Sequence, residues 1–170
     1  MLIGGDDGDA AAGARRDGLL DPRLIFRGLP GRSREEVLSE LSQRICAEGL
    51  ISDGADLTAR LLAREKLGCT GLGGGIAIPH CKLPDIGDVV VAVASTEAPV
   101  DFGAPDGNPV HLIFLVVSPS HAAAAHLQAL ARISRLLRAP GVVAGLREAD
   151  SHARFLEVLR EAEAGLPVPQ

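Results

Sequence analysis

The chain has 170 residues, of which 46% are apolar but only 2% are aromatic, with four Phe and neither Trp nor Tyr. This is enough for one domain with an aliphatic core. With 17 basic and 22 acidic residues, the formal net charge is −5. An acidic chain with few rings lacks both the charge that binds a phosphate backbone and the platforms that stack on bases. We therefore exclude nucleic acid as a partner.

The sequence also argues against membrane insertion and secretion. No apolar run approaches the roughly 18–20 residues that a membrane-spanning helix needs, and the N-terminus lacks a basic segment followed by an apolar one. Cys46, Cys69 and Cys81 are an odd set that does not suggest a disulfide framework. We interpret them as reduced thiols that pack as small buried hydrophobes. These features predict a cytoplasmic protein.

The first stretch differs in composition from the rest. Residues 1–18 are mostly Gly, Ala and Asp and have almost no large apolar side chains after Ile3. Such a segment buries too little surface to offset its ordering entropy. We predict a flexible tail over residues 1–18 and a single folded domain over residues 19–164.

The first half of the domain begins with a short strand and continues with two helices. The run 23–27 predicts a strand, which Gly28 and the following prolines and glycines end. Ser33 is a candidate N-cap for a helix that ends near Gly49. Apolar residues at helical spacing predict a second helix over 53–66.

The second half places two apolar strands before three helices. Residues 89–94 and 111–117 are nearly continuous in apolar, mostly β-branched side chains, which indicates strands covered on both faces. Helical periodicity follows over 122–138, 142–148 and 151–163. Helices must therefore pack on each side of a sheet, in an α/β or α+β sandwich.

The segment 64–83 carries the most unusual chemistry. Its glycines allow tight turns and can expose backbone amides to an anion. A short apolar run then leads to Pro79, whose fixed φ stiffens the step before His80. The pattern predicts that His80 is presented on a rigid corner at the end of a strand. Arg64, at the end of the preceding helix, and Thr70 are candidate ligands for an anion held there.

Two alternative uses of this segment fit the residues poorly. The glycines match neither the dinucleotide fingerprint nor the P-loop. A metal site of Cys69, His80 and Cys81 lacks a C-x-x-C knuckle, and adjacent residues of a strand point to opposite faces. A Cys81 nucleophile is equally weakly supported. We expect neither a metal nor a cofactor.

The remaining histidines differ in interest. His126 lies in the first turn of the helix over 122–138, on its apolar side, from where a side chain can still reach a cleft. His121 precedes it by five residues, which does not make the two a ligand pair. His111 and His152 are interpreted as structural or solvated.

Three linked motifs resemble the fructose/mannitol-type enzyme IIA domain of the bacterial phosphotransferase system. They are R-E-x-x-x-x-T over 64–70, G-x-A-x-P-H over 75–80 and H-L-x-x-L-A over 126–131. The resemblance covers about residues 19–163 and is closest to the nitrogen-regulatory branch, enzyme IIA-Ntr. Many members carry Gly after the histidine, where this chain has Cys81.

The resemblance implies an α/β fold in which helices cover both faces of a mixed β-sheet. It matches His80 to the phosphorylated histidine, His126 to the second active-site histidine, Arg64 to the neighbouring arginine and Thr70 to the threonine of the same motif. It implies a phosphotransferase component that needs no cofactor, since the donor is a phosphoprotein similar to HPr or its nitrogen-related counterpart. A neutral imidazole is a competent nucleophile near pH 7.

The resemblance leaves three functions open. The first is a regulatory phosphocarrier that binds target proteins (a transporter, a kinase or another enzyme) according to its phosphorylation state. The second is a sugar-transport IIA component that hands phosphate to a separate IIB protein. The third is a binding module that is no longer phosphorylated. The expected absence of fused IIB and IIC domains and the branch resemblance favour the first.

Overall fold

The computed structural model describes residues 18–167, which form a mixed six-stranded sheet with helices on both faces. This confirms the predicted α/β class. In this range the strands are β1 (Ile25–Leu29), β2 (Gly71–Gly73), β3 (Ile76–Ala77), β4 (His80–Leu83), β5 (Val90–Val100) and β6 (Val110–Pro119). The helices are α1 (Arg34–Ala47), α2 (Gly54–Leu67), α3 (Ala123–Arg138), α4 (Val142–Glu148) and α5 (His152–Ala164). The predicted tail lies outside the described residues apart from Gly18, so the domain boundary stays a prediction.

The long antiparallel pair β5–β6 forms the middle of the sheet. β1 runs parallel to β5 on one side. On the other side, β3 and β4 both run parallel to β6, one after the other, and β2 pairs antiparallel with β3. Among the described strands β4 pairs only with β6, so one edge of this four-residue strand is open.

Alternation along β6 separates two apolar cores. Ile113, Leu115 and Val117 belong to the core beneath α1 and α2. Leu112, Phe114 and Val116 belong to the core beneath α3, α4 and α5. Since both faces are covered, the near-continuous apolar run in β6 has the cause that the sequence predicted.

Side-chain caps set the start of the first two helices. The Ser33 hydroxyl accepts a hydrogen bond from the Glu36 amide at 3.1 Å, and the Asp53 carboxylate accepts one from the Asp56 amide at 3.0 Å. Each satisfies an amide that has no partner within its helix. α1 therefore begins where its cap Ser33 predicted, and α2 begins at Gly54, next to the start at 53 that apolar spacing predicted.

Two local expectations need correction. The strand predicted over 23–27 begins at Ile25, because Asp21 caps a 3₁₀ turn over Pro22–Leu24. The strands β2 and β4 were not predicted as strands. They are short and hold glycines or mixed polar residues, so their pairing with neighbouring strands decides their conformation.

Candidate functional site

His80 is the first residue of β4, so it opens a strand and does not end one as predicted. Cys81 and Leu83 point into the core beneath α1 and α2. Since side chains alternate along a strand, His80 and Lys82 lie on the opposite face, the one that α3 covers. The neighbouring residues of β6, Val116 and Ser118, pair with these two and share that face.

One hydrogen bond determines the protonation pattern of the His80 ring. Its Nδ1 lies 2.9 Å from the backbone oxygen of Ile78. A carbonyl oxygen only accepts, so Nδ1 must carry the proton and donate it. In the neutral ring the lone pair is then on Nε2. Because the side chain is half-buried, an incoming group can reach it.

His126 lies beside His80. Its ring centroid is 5.3 Å from that of His80, with the two planes tilted by 57°. The residue is in the first turn of α3 and only 7% exposed. Its Nδ1 is 2.7 Å from the hydroxyl oxygen of Ser118, a fully buried residue of β6. The structure therefore brings the two predicted site histidines together.

Burial lowers the pKa of His126 below its usual 6.5, and the charges of His80 and Lys82 lower that pKa further. Desolvation and neighbouring positive charge both disfavour the protonated imidazole. His126 is accordingly neutral at pH 7. A neutral ring has one donating and one accepting nitrogen, which suits it to a defined hydrogen-bonding role.

Arg64 is in the last turn of α2, and Thr70 follows the end of that helix. The Nη1 of Arg64 donates to the Gly68 backbone oxygen at 2.9 Å and so caps its own helix. Within residues 18–167 its guanidinium has no hydrogen bond to His80 or His126. The structure thus bonds Arg64 to the end of its own helix and not to either ring.

Thr70 is buried and bound to Glu65. The Glu65 carboxylate accepts hydrogen bonds from the Thr70 amide at 3.2 Å and from the Thr70 hydroxyl. It also lies 3.8 Å from the guanidinium of Arg34 on α1. Glu65 is only 4% exposed. These bonds tie the segment between α2 and β2 to both helices.

Gly75 needs a glycine for two reasons. Its φ is +80°, and an added Cβ would lie 2.2 Å from the ring of His111. Its backbone oxygen accepts from the amides of His111 and Leu112 and so joins the glycine-rich loop to β6. The Gly74 amide, in turn, donates to Asp106 at 2.8 Å. That amide is therefore not free for the anion that the glycine-rich approach suggested.

The three thiols differ from one another. Burial raises the pKa of Cys81 to about 12, so this thiol is not a nucleophile at neutral pH. Cys46 is half-buried, and Cys69 is exposed, which corrects the expectation that all three are buried. Within residues 18–167, no cluster of three His, Cys, Asp or Glu side chains could hold a metal ion.

The sequence reasoning missed three residues around the site. Lys82 shares the face of His80 because it follows that residue by two positions on β4, a strand that the sequence did not predict. Glu65 is part of the R-E-x-x-x-x-T motif but received no role. Nothing in the sequence marks Ser118, because its partner His126 is on another element and only the fold joins them.

Comparisons with known proteins place the chain in a family. The model of the family described as "Phosphoenolpyruvate-dependent sugar phosphotransferase system, EIIA 2" matches residues 18–162. The chain is 40% identical over 141 residues to a nitrogen regulatory protein of Bradyrhizobium diazoefficiens, covering 83% of this chain and 92% of that protein. It is 36% identical over 151 residues to a nitrogen regulatory protein of Pseudomonas aeruginosa, covering 89% of this chain and 98% of that protein.

A solved structure agrees. The crystal structure of nitrogen regulatory protein IIA-Ntr from Neisseria meningitidis superimposes with a TM-score of 0.74 at 32% identity, over 83% of this chain and 96% of that one. Among residues 18–167, no helix combines the length and the apolarity that crossing a bilayer requires. The chain belongs to the EIIA type 2 family of the phosphotransferase system, with nitrogen regulatory proteins among its relatives.

Proposed function

We propose that the protein is a regulatory phosphocarrier. It accepts a phosphoryl group on His80 from an HPr-like phosphoprotein and binds target proteins according to its phosphorylation state. The observation that carries the proposal is the His80–His126 pair, in which the 2.9 Å bond to Ile78 leaves the Nε2 lone pair of His80 unprotonated. The similarity to nitrogen regulatory proteins supports the regulatory role.

The transfer needs little covalent work from the protein. The lone pair of His80 Nε2 attacks the phosphorus carried by the donor's histidine, and the donor's P–N bond breaks with its electron pair returning to the donor nitrogen. The donor ring leaves as a neutral imidazole when its other nitrogen carries a proton. His80 keeps its own Nδ1 proton, which stays bonded to Ile78. Positioning and charge neutralisation then determine the rate.

We assign His126 to the phosphoryl oxygens. A neutral ring whose Nδ1 is bonded to Ser118 turns its Nε2 edge away from that bond. A hydrogen bond from this edge to an oxygen of the transferred group is charge-assisted and strengthens as negative charge develops.

We assign neutralisation of the phosphoryl charge to two cations. Lys82 is on the same face of β4 as His80 and acts electrostatically on His126. Arg64 is bonded to the Gly68 carbonyl through Nη1, and its other N–H groups can turn to the phosphoryl oxygens when the donor docks. Thr70 supports the site indirectly, since its hydroxyl is bonded to Glu65 and holds the segment that follows Arg64.

Phosphorylation changes the surface on which a partner docks. A phosphorylated side chain carries roughly −1.5 to −2 charge near pH 7. Leu127, the neighbour of His126, is 66% exposed and gives this surface an apolar contact. A charge placed beside such a contact can make or break a protein interface. We infer that target proteins distinguish the two states here, and we expect the protein to act in the cytoplasm without a cofactor.

The family's sugar phosphotransferase description favours one alternative, a sugar-transport component that passes its phosphate to a IIB protein. The chemistry at His80 would be the same, so the fate of the phosphate separates the two functions. The phosphorylated protein should keep its phosphate when it is mixed with a fructose-type IIB protein and sugar. Rapid discharge that depends on sugar would replace the regulatory function by the transport function.

The phosphocarrier proposal is tested by phosphorylation with labelled phosphoenolpyruvate, enzyme I and an HPr homologue. The native protein should acquire an acid-labile label, and His80→Ala should acquire none. The matched control is His152→Gln, a histidine exposed on α5, which should label as the native protein does. Label that persists in His80→Ala, or native protein that takes no label, would leave the binding-module function in its place.

A further inference from the structure

We propose that Ser118 is a positioning residue that holds the His126 ring as the tautomer with its proton on Nε2. The ring can then donate a hydrogen bond to the group on His80. The tautomer follows from contacts within the protein alone, whereas its use in transfer rests on the function proposed above. The sequence around Ser118 does not indicate a role for this residue.

Ser118 is a polar residue in an apolar setting. It has no exposed surface, and it follows the buried run of β6. Ser118 pairs in register with Lys82, so the side chains of both residues lie on the face of the sheet that α3 covers. There its hydroxyl oxygen lies 2.7 Å from Nδ1 of His126. A buried hydroxyl loses stability unless it is hydrogen-bonded, so this contact accounts for its place in the core.

The direction of this hydrogen bond follows by elimination. Among the residues that the structure describes, the Ser118 hydroxyl has no other hydrogen-bond partner. If His126 Nδ1 donated to it, the hydroxyl proton would remain buried without an acceptor, which is costly. The hydroxyl therefore donates, and Nδ1 accepts with its lone pair. In the neutral ring the proton must then be on Nε2.

The resulting tautomers of the two rings are complementary. His80 donates from Nδ1 to Ile78 and keeps a lone pair on Nε2. His126 accepts at Nδ1 and has a proton on Nε2. One ring thus offers the nucleophile and the other a donor, with the ring centroids 5.3 Å apart. Each assignment depends on one partner outside the pair, Ile78 for His80 and Ser118 for His126.

The first test measures the ring nitrogens of unphosphorylated native protein by ¹⁵N NMR, with His126 assigned by its loss in His126→Gln. We expect Nδ1 of His126 to be an unprotonated acceptor and Nε2 to carry the proton. A proton on Nδ1 would overturn the proposal. This measurement does not depend on phosphorylation, so it stays informative even if the proposed function fails.

The second test is the pKa of His126 in Ser118→Ala, measured by the same titration. A hydroxyl that donates to Nδ1 stabilises only the neutral ring, so its removal should raise this pKa. A hydroxyl that accepts would stabilise the charged ring, and its removal would lower the pKa. The other groups that act on His126 are His80 and Lys82, both of β4. A fall or no change in the pKa contradicts the proposal.

Two variants control for packing. Ser42→Ala removes another fully buried hydroxyl, which bonds the Leu38 backbone oxygen in α1, and should leave the His126 titration unchanged. Ser118→Thr keeps a hydroxyl, so the pKa of His126 should stay close to its value in the native protein. In phosphoryl transfer, Ser118→Ala should be slower by on the order of tenfold, and Ser42→Ala should not. Equal slowing in the two alanine variants would reduce Ser118 to a packing role.

Discussion

The polar residues on and around β4 form two groups that differ in their bonding partners. On the α3 face, His80 and Lys82 meet His126, and the two rings lie 5.3 Å apart. At the C-terminal end of α2, Arg64 bonds to the Gly68 carbonyl and Thr70 bonds to Glu65. Only His80 and Lys82 of these residues are on β4. The structure separates them into a pair that can react and a network that holds the backbone.

Residues that are close together in a sequence motif can have different roles in the structure. Residues 64–80 include both His80 and the buried Glu65–Thr70 contact. A buried, fully bonded carboxylate contributes chiefly to stability, whereas a half-buried imidazole with a free lone pair can react. Variants of the Glu65–Thr70 contact should therefore lose stability, whereas variants of the histidine pair should lose phosphoryl transfer.

The largest effect on stability should come from Glu65→Ala. It removes the acceptor of the Thr70 amide and hydroxyl and leaves Arg34 without this ion pair. Hydrogen bonds to charged groups contribute about 1.5–3 kcal/mol each, so we expect a loss of about 3 kcal/mol in the free energy of unfolding. Denaturant unfolding measures this, with the exposed Glu48→Ala as the control, which should stay within about 0.5 kcal/mol. If the free energy of unfolding fell no more than in the control, the Glu65 network would not contribute to stability.

The next effect should be on transfer in His126→Ala. Losing a hydrogen bond to a charged group costs about 1.5–3 kcal/mol, and each 1.4 kcal/mol is a factor of ten in rate. We therefore expect a slowing of roughly 10- to 100-fold, measured by rapid-quench transfer from the phosphorylated donor. The control is Thr58→Val, which removes a hydroxyl that bonds the Gly54 backbone oxygen within α2 and should keep the native rate once both proteins are shown to be folded. Equal rates in His126→Ala and native protein would refute the role of this ring.

The two cations sharpen the comparison further. Lys82 is already on the face of His80, whereas Nη1 of Arg64 is bonded to the Gly68 carbonyl. We expect Lys82→Ala to slow transfer on the order of tenfold and Arg64→Ala to slow it less, because charges near a surface contribute modestly and are screened by salt.

A salt series on the rate constants provides the control for this prediction. Both alanine effects should shrink as salt rises, and Lys66→Ala, which changes the other lysine of the chain, should have no effect. A larger loss in Arg64→Ala than in Lys82→Ala would reverse the assignment of the principal cation.

The smallest effect should be a pH dependence of stability. The pKa of His126 is lowered in the folded protein, chiefly by burial, and that of His111 is lowered for the same leading reason. Between the lowered value and the ordinary 6.5, the unfolded chain binds more protons. The free energy of unfolding should therefore fall as pH drops below about 6.5 and level off below the folded pKa. Denaturant unfolding across this range should show a weaker slope in His126→Gln; an unchanged slope would exclude the contribution of His126.

Much of the fold follows from local signals in the sequence. Ser33 marked the start of α1, because an N-cap acts within a few residues of its own position. Apolar residues at helical spacing marked α2. Continuous apolar runs predicted β5 and β6. The two short strands β2 and β4 could not be predicted, since partners distant in the sequence hold them in extended form.

The sequence predicted the two histidines of the site but not the contacts that hold the residues around them. The motifs and the family resemblance marked His80 and His126, and the fold brings these two together. The bonds of Thr70 to Glu65 and of Ser118 to His126 could not be predicted from the sequence. Each of these contacts depends on burial and direction, which a spacing of residues does not specify.

The most direct test of the central claim identifies the atom that carries the phosphoryl group. Phosphorylated protein with ¹⁵N-labelled histidine, examined by ¹⁵N and ³¹P NMR, should show phosphorus bonded to Nε2 of His80, with the proton still on Nδ1. Phosphorus on Nδ1 of His80, or on the ring of His126, would contradict the account.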